Sequence, residues 1–239
     1  DACPKIQPKT DDVSIDVCTE ALKKNGIKFE GKNLSETDRN KLTRLIYDNL
    51  DIFASSLSDL PGTDLVEHHI DTGDHKPVRR RAYRQTPEVK REMKKQVDDM
   101  LKSGIIEESD SPWSSPALLV KKSSGEYRFV TDFRRVNELT QAIFWPLPTM
   151  DEIIDTVSDC NPSIFSLLDM KSGYFQISLD EESKPKTAFS AGAHNYQYVR
   201  MAQGLCNSGH TFQALMTKVL GNMLFESALS YCDDILLMS

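Results

Sequence analysis

The sequence has little cysteine, no internal repeat and no long apolar run. A helix that spans a bilayer needs about 20 mostly apolar residues, and a secretory signal needs an apolar core of about 7–15 residues near its start. Neither is present. The five cysteines are scattered, without a CxxC pair or a Cys/His cluster at zinc spacing. We therefore expect no membrane contact, no secretion, no disulfide framework and no structural zinc.

The composition is that of an ordinary folded protein. Hydrophobic residues make up 39% and charged residues 27% of the 239 positions, a balance typical of chains that fold in water. This length supports one large core or two modest ones. The chain opens with "DACPKIQPKT" and no initiator methionine, so we expect an internal piece of a longer intracellular polypeptide.

The charge is unevenly distributed along the chain. The formal net charge is −7, yet residues 76–95, here called the basic segment, carry nine basic and two acidic side chains, which sum to +7. Because local charge governs counterion release, this segment is a candidate contact for nucleic-acid phosphates. A solvated helix face is the plainer interpretation, and charge alone favours it. The candidate contacts are Arg79, Arg80, Arg81, Arg84, Lys90, Arg91, Lys94 and Lys95.

Helical and strand periodicities alternate along the chain, which predicts an α+β fold. Residues 1–33 are polar without clear periodicity and are interpreted as linker or peripheral structure. Two β-rich runs around the turn at 123–125 predict a hairpin, and "SIFSLLDM", "YFQISL", "TAFSA" and "YQYVRM" predict further strands. Helices are predicted after the N-cap Ser35, after Thr86 and Pro87, after Thr149, and over 212–223.

Three acidic residues stand beside apolar runs. Asp233 and Asp234 lie between "ALSYC" and "ILLM", and Asp169 ends the buried-looking strand "SIFSLLDM". A hairpin with the Asp pair at its tip, next to that strand, would bring three carboxylates together. Such a group suits two Mg²⁺ ions about 3.5–4 Å apart in phosphoryl transfer, because hard cations prefer oxygen ligands. For an isolated Asp pair the alternative is a polar turn.

Seven segments in order resemble the polymerase region of reverse transcriptases, most closely those of gypsy-type LTR retrotransposons. They are "HHIDTGDHKPVRRRAYR", "MLKSGIIEESDSPWSSPALLVKKSSGEYRFVTDFRRVNELT", "WPLPTMDEI", "FSLLDMKSGYFQI", "KTAFS", "YQYVRMAQGLCNSGHTFQALM" and "YCDDILLMS". The resemblance runs from Phe53 to Ser239. It implies a fingers and palm fold with an antiparallel palm sheet backed by helices, truncated before the thumb and ribonuclease H. The implied division is a linker and helical segment over 1–52, a connecting segment over 53–85, and incomplete fingers and palm over 86–239.

The resemblance also implies roles for individual residues. Asp233 and Asp234 of "YCDD" match the metal ligands of the family's Tyr-X-Asp-Asp box, and Asp169 matches its third acid. The implied cofactor is a pair of Mg²⁺ ions, with Mn²⁺ as a substitute. Tyr174 matches an aromatic residue that crowds the sugar 2′ position and so favours deoxynucleotides. The implied dNTP-binding residues are Lys122, Arg128, Ser172, Gly173, Tyr174, Gln203 and Gly204.

A chain with this resemblance is expected to be an RNA-directed DNA polymerase, a nucleotidyltransferase of retrotransposon replication. It would extend a primer on an RNA or DNA template with dNTPs, as part of a Pol polyprotein that continues into thumb, ribonuclease H and integrase. The expected location is intracellular, in a cytoplasmic virus-like particle. The open alternative is a catalytically inactive remnant that only holds nucleic acid.

One stretch departs from the family pattern, and another resembles the motif of a different enzyme. Ala202 and Gln203 stand where the family usually has Pro-Phe, and Gly209 and His210 stand where it usually has Pro-Ala. These departures are those of a decaying genomic copy, but the three acids are intact, so we do not infer inactivity from them. The triplet "DTG" at 71–73 matches the catalytic motif of retroviral-type aspartic proteases. Two histidines shortly before it and an acid directly after it argue against a protease. We interpret the triplet as a glycine turn in the linker.

Overall fold

The computed structural model describes residues 13–27, 35–231 and 233–239. The chain divides into two compact units, Asp1–Asp59 and Leu60–Ser239. This division differs from the boundaries predicted after residues 52 and 85, because the first strand, β1 (Thr63–His68), already pairs within the second unit. Most of the predicted connecting segment is therefore part of the second unit's fold.

The first unit contains two helices, α1 (Ile15–Lys24) and α2 (Glu36–Asp48). The side chain of Ser35 accepts a backbone hydrogen bond from the first turn of α2, which confirms the predicted cap. Of the two interpretations of 1–33, linker or peripheral structure, α1 favours the second, while residues 1–12 and 28–34 lie outside the described residues. α1 packs on α2 and buries Cys18 and Leu22. The few apolar residues of α1 do not form a helical spacing that is recognisable in the sequence.

The second unit contains four helices and ten strands among its described residues. The helices are α3 (Pro87–Lys102), α4 (Arg134–Asn137), α5 (Met150–Cys160) and α6 (Ser208–Leu220). The strands are β1, β2 (Ile106–Glu108), β3 (Ser115–Lys121), β4 (Tyr127–Thr131), β5 (Phe165–Asp169), β6 (Ile177–Leu179), β7 (Phe189–Ala191), β8 (His194–Tyr198), β9 (Ala228–Tyr231) and β10 (Asp234–Met238). Their interspersed order confirms the α+β class. Across the described ranges, no helix has both the length and the apolar character needed to cross a bilayer.

The strands form three sheets. The first is a parallel pair of β1 and β6. The second has five strands in the order β2-β8-β7-β3-β4. The third is antiparallel, in the order β5-β10-β9. α3 packs on the five-stranded sheet and is capped by Thr86, as predicted. It buries Met93, Val97 and Met100, whereas Leu101 is 37% exposed. The predicted hairpin is confirmed as β3–β4.

Two predicted strands differ from the structure. β5 has the composition of a buried strand, yet all five of its residues are exposed, Leu167 by 67%. The reason is its place at the sheet edge, where β10 is its only strand partner among the described residues. The run "YFQISL" does not extend as one strand, since a 3-10 turn over Gly173–Gln176 precedes the short β6. Composition alone distinguishes neither a central strand from an edge strand nor a strand from a tight turn.

The Asp71-Thr72-Gly73 triplet forms a turn, as interpreted. The carboxylate of Asp71 accepts a 2.8 Å hydrogen bond from the N–H of Gly73, whose φ is +52°. This geometry is an Asx turn, in which an Asp side chain bonds the backbone two residues on. The backbone oxygen of Asp71 also accepts from the N–H of Gln141 at 2.7 Å. The triplet therefore connects the loop after β1 to the segment that contains Gln141.

His68, at the end of β1, is fully buried. Its Nδ1 lies 2.8 Å from Oγ1 of Thr211, and that hydroxyl donates to the carbonyl of Asn207 at 3.2 Å. Because the hydroxyl hydrogen of Thr211 is used in that bond, its oxygen accepts a hydrogen bond from Nδ1–H of His68. In this tautomer Nε2 of His68 is an acceptor, and it is buried without a partner among the described residues. Burial, followed by the charge of His69, lowers the pKa of His68 from 6.5 to about 4.

We expect this histidine to make the free energy of unfolding depend on pH. Because its folded-state pKa is depressed, its contribution is complete above pH 6.5 and is lost as the pH falls to about 4. The total loss is about 3 kcal/mol. Urea unfolding of the parent and of His68→Gln at about pH 7, 5 and 4 measures it. His75→Gln, at an exposed histidine outside this group of residues, is the matched control, and equal pH slopes for the parent and His68→Gln would contradict the assignment.

Candidate active site

The three predicted carboxylates lie at one end of the sheet formed by β5, β10 and β9. Asp169 is the last residue of β5 and Asp234 is the first residue of β10, and the two are directly opposite in the antiparallel pairing. Asp233 occupies the turn before β10, and its carbonyl accepts from the N–H of Met170 at 3.3 Å. Opposite residues of an antiparallel pair place their side chains on one face. The backbone therefore brings the three acids to a common corner.

The donor chemistry of this corner fits hard divalent cations, which prefer carboxylate oxygens. Asp169 and Asp234 are exposed and Asp233 is half-buried. None of the three forms an ion pair with a described residue. Their side chains do not yet converge, since no three His, Cys, Asp or Glu residues in the described part of the chain are arranged to hold a metal ion. The carboxylates would have to rotate about their side-chain bonds to bind one metal ion together. The assignment of the three acids as metal ligands therefore stays a prediction.

The β3–β4 hairpin carries the two cations predicted to contact a triphosphate. Lys122 lies in the turn, half exposed, with Nζ 3.4 Å from the carboxylate of Glu126. Arg128, on β4, is exposed and donates to the side-chain oxygen of Gln203. Two predicted nucleotide contacts, 75 positions apart in the sequence, are thus joined by one hydrogen bond.

The turn that holds Gln203 is fixed by Asn137. The Nδ2 of Asn137 donates to the carbonyl of Gly204 at 2.8 Å, and its Oδ1 accepts from the N–H of Cys206 at 3.0 Å. Gly204 has φ +94°, a conformation that favours glycine. The predicted residue Gly204 therefore shapes the turn that presents Gln203 beside the hairpin.

Ser172 and Gly173 begin the 3-10 turn after Asp169. Ser172 has φ +48°, which is uncommon for a residue with a side chain. The N–H of Gly173 donates to the carbonyl of Met170 at 3.2 Å. It is therefore not available to a ligand in this conformation, and the predicted donor at Gly173 requires that bond to open. A Cβ at position 173 would lie 2.9 Å from ring carbons of Phe212, so a side chain there would displace the ring.

Tyr174 is held by an aromatic stack. Its ring lies 5.2 Å from the ring of Phe212, centroid to centroid, at an interplanar angle of 23°. Phe212 belongs to α6 and is fully buried. Stacked rings of this kind restrict each other's orientation, so the core of the second unit sets the position of Tyr174.

Two polar residues at the start of α6 position the segment 141–145. Asn207 donates to the carbonyl of Gln141 at 2.8 Å and accepts from the N–H of Ile143 at 3.2 Å. Nδ1 of His210 lies 3.3 Å from the nitrogen and 3.0 Å from the oxygen of Trp145. In the sequence His210 stands out only as a departure from the family pattern, and its contact with Trp145 was not predicted. A polar pair three residues apart carries no signal that would identify its distant partner.

Several hydrogen bonds anchor the basic segment to the five-stranded sheet and its flanking residues. The N–H of Arg80 donates to the carbonyl of Ser114 at 2.8 Å. Farther along, Tyr83 donates to Asp132 at 2.7 Å, and Arg134 binds both carboxylate oxygens of Asp132 at 2.7 Å. The bonds from Arg134, and then that from Tyr83, hold the pKa of Asp132 well below its usual range.

The predicted phosphate contacts of the basic segment all face solvent. None of the eight pairs with a carboxylate of a described residue. Arg79, Arg80 and Arg81 line a cleft of about 440 Å³ with Ser114 and Asn195. The structure therefore presents an uncompensated positive surface, whose role in binding stays a prediction.

Solved structures define the class of this fold. The protease-reverse transcriptase of prototype foamy virus matches with a TM-score of 0.79 at 24% identity, over 95% of this chain and 29% of the viral chain. The foamy viral enzyme solved with an RNA/DNA hybrid matches with a TM-score of 0.75 at 21% identity, over 100% of this chain and 31% of that chain. At these identities the similarity establishes the fold. It is the fingers and palm fold of reverse transcriptases, as predicted.

Sequence comparisons add the family. The family model described as "Reverse transcriptase (RNA-dependent DNA polymerase)" matches residues 120–239. The Pol polyproteins of the Drosophila melanogaster transposons 297 and gypsy are 39% and 34% identical over 74% and 78% of this chain, which spans 17% and 18% of their length. The chain belongs to the reverse transcriptase family. Its predicted resemblance to gypsy-type retrotransposon Pol polyproteins is confirmed.

Proposed function

We propose that this chain forms the nucleotide-transfer site of an RNA-directed DNA polymerase within a retrotransposon Pol polyprotein. In the proposed reaction the primer 3′-OH attacks the α-phosphate of a template-paired dNTP, the bond to the bridging oxygen breaks, and pyrophosphate leaves. The observation that carries the proposal is the register of β5 and β10, which sets Asp234 opposite Asp169 with Asp233 in the adjoining turn.

Asp169, Asp233 and Asp234 would hold two Mg²⁺ ions, or Mn²⁺ in their place. Bound there, such ions would neutralise charge on the attacking and leaving oxygens. The two exposed carboxylates, Asp169 and Asp234, can turn towards a ligand without breaking a buried contact. In the proposed role the chain therefore supplies fixed backbone positions and mobile oxygen donors.

Lys122 and Arg128 are proposed to bind the triphosphate. On binding, Lys122 would leave the carboxylate of Glu126 and contact a phosphate oxygen. Arg128 would likewise leave the amide oxygen of Gln203 and donate to a phosphate oxygen. Both exchanges replace a surface contact of small energy with charge-assisted bonds to phosphate. The released side chain of Gln203 could then donate to the same ligand.

Tyr174 is proposed to select deoxynucleotides over ribonucleotides. Because its ring stacks on the buried ring of Phe212, it has little freedom to move aside. A ribose 2′-OH that approaches this ring would then meet a fixed obstacle. The selectivity would come from steric exclusion, with the aromatic core of the palm as its support.

The basic segment is proposed to contact the nucleic-acid backbone, because pairing with the template supplies the choice of base. Arg80→Ala is expected to weaken duplex binding equally for unrelated sequences. It should also reduce the slope of log K against log salt concentration by about 1. Fluorescence anisotropy at several salt concentrations measures both. Arg135→Ala is the control, since Arg135 is paired with Glu138, and an equal effect of both variants would contradict the assignment.

Single-nucleotide primer extension tests the polymerase proposal. The protein is placed in excess over an RNA template with a DNA primer, at low salt with Mg²⁺. We expect incorporation of the complementary dNTP, little incorporation of the matching ribonucleotide, and none with a chelator. Incorporation that ignores the template base, or that persists with the chelator, would contradict the proposal.

A second candidate function is binding of nucleic acid without polymerisation. Its support is the positive surface of the basic segment, whose eight predicted contacts have no carboxylate partner among the described residues. A folded protein that binds primer-template with the expected salt dependence, yet incorporates no nucleotide, would favour this function over the first.

A further inference from the structure

A second cleft lies apart from the corner that carries the three predicted catalytic acids. Its volume is about 770 Å³, and its walls include Trp145, Leu147, Asp155, Asp159, Gln213 and Phe225. This volume falls within the range of about 300–1,000 Å³ typical of small-molecule sites. The cleft lies between α5, α6 and the segment that leads into α5.

The aromatic wall of the cleft is held in place by hydrogen bonds. His210 contacts the backbone nitrogen and oxygen of Trp145 at 3.3 and 3.0 Å, as described above. Asn207 bonds the same segment at Gln141 and Ile143. Trp145 is therefore part of a preformed wall, which lowers the entropic cost of binding.

Apart from Trp145 and Gln213, the polar side chains that line the cleft present acceptors. Asp155 and Asp159 are exposed carboxylates without an ion-pair partner among the described residues. The hydroxyls of Thr156 and Thr217 donate to backbone carbonyls of their own helices, at 2.7 and 2.9 Å, so only lone pairs remain. A further carboxylate, Glu152, accepts from its helix cap.

Gln213 supplies an independent sign of a missing donor. Its side chain is 2% exposed, and Nε2 donates to Oγ of Ser230 at 3.2 Å. Oε1 is buried and has no hydrogen-bond partner among the described residues. An unpaired buried acceptor costs about 1–3 kcal/mol, and Gln213 lies in the wall of the cleft, so a ligand donor that gained access to Oε1 would be stabilised there.

We propose that this cleft binds a small organic cation, a protonated amine on an aromatic or aliphatic body. The ammonium would donate to the carboxylates of Asp155 and Asp159, and the body would lie against Trp145 and Phe225. A cation beside an aromatic face is additionally attracted by the ring quadrupole. An anion would meet two exposed carboxylates, with the indole N–H of Trp145 as its main donor, and an uncharged ligand would leave the carboxylates unpaired.

Tryptophan fluorescence provides a site-specific measurement. The chain has two tryptophans, of which Trp113 is 7% exposed and Trp145, in the cleft wall, is 37% exposed. Titration with phenylbutylamine is compared with phenylbutanol and phenylbutyrate, which share the body and differ in charge. We expect saturable binding of the amine, with a Kd at least about tenfold lower than those of the other two. The indole N–H resonance of Trp145 gives a second readout of the same titration.

Two variants connect the charge preference to the proposed residues. The double substitution Asp155→Asn with Asp159→Asn should remove most of the amine preference, leaving it within about threefold of the alcohol. Asp151→Asn, in the same helix and outside the cleft, is the matched control and should bind like the parent. The proposal is overturned if neither readout saturates, if the three compounds bind alike, or if the double variant retains the parent preference.

Discussion

Asp233→Asn is expected to reduce single-nucleotide incorporation by about 10³-fold or more and to leave the free energy of unfolding nearly unchanged. The substitution keeps the size of the side chain and removes its negative charge in the turn before β10. Asp233 is half-buried and has no ion pair among the described residues, so no partner is left uncompensated. A rate loss of this size corresponds to about 4 kcal/mol of transition-state stabilisation.

Single-turnover primer extension with protein in excess measures this loss, and urea unfolding checks the fold of the variant. Asp110→Asn is the control, because Asp110 is an exposed acid in a loop away from the corner of the three carboxylates. It should retain the parent rate. A parent-like rate for Asp233→Asn would remove Asp233 from the proposed site, whereas equal losses in both variants would indicate a nonspecific effect of charge.

Phe212→Ala is expected to lower the free energy of unfolding by about 3–5 kcal/mol. The ring is fully buried, stacks on Tyr174 and fills the space that a side chain at Gly173 would need. Its removal leaves a cavity directly beneath the proposed nucleotide pocket. Because Tyr174 then loses its support, discrimination between dNTP and ribonucleotide should also fall.

Chemical unfolding and paired dNTP and ribonucleotide incorporation measure the two effects of Phe212→Ala. Phe212→Leu, which retains most of the volume, should cost less, about 1.5 kcal/mol. The exposed control is Phe144→Ala, since Phe144 is 84% exposed, and its effect should stay within about 0.5 kcal/mol. If Phe212→Ala changes the free energy of unfolding no more than Phe144→Ala does, the buried ring of Phe212 does not stabilise the core.

Local signals in the sequence predicted much of the secondary structure. The N-caps Ser35, Thr86 and Thr149 each begin a helix as expected. The turn at 123–125 and the Asp pair each form hairpins. These features depend on contacts within a few residues, such as the capping box of Thr149 and Glu152, so the sequence pattern contains the whole interaction.

Predictions about burial and distant contacts were less successful. β5 reads as a buried strand, and its exposure follows from its position at a sheet edge. The contact of Arg128 with Gln203 and that of His210 with Trp145 connect residues 75 and 65 positions apart. No local pattern encodes such pairs, because they depend on how separate elements pack.

The sequence by itself determined the α+β class, the family resemblance and the identity of the candidate acids, since ordered motifs and short-range periodicity carry that information. Only the tertiary structure decided that Asp234 faces Asp169, that Phe212 supports Tyr174, and that Gln213 keeps a buried acceptor unpaired beside a cleft. The reason is physical: strand register, ring stacking and desolvation are properties of groups brought together by folding, and each depends on partners remote in the chain.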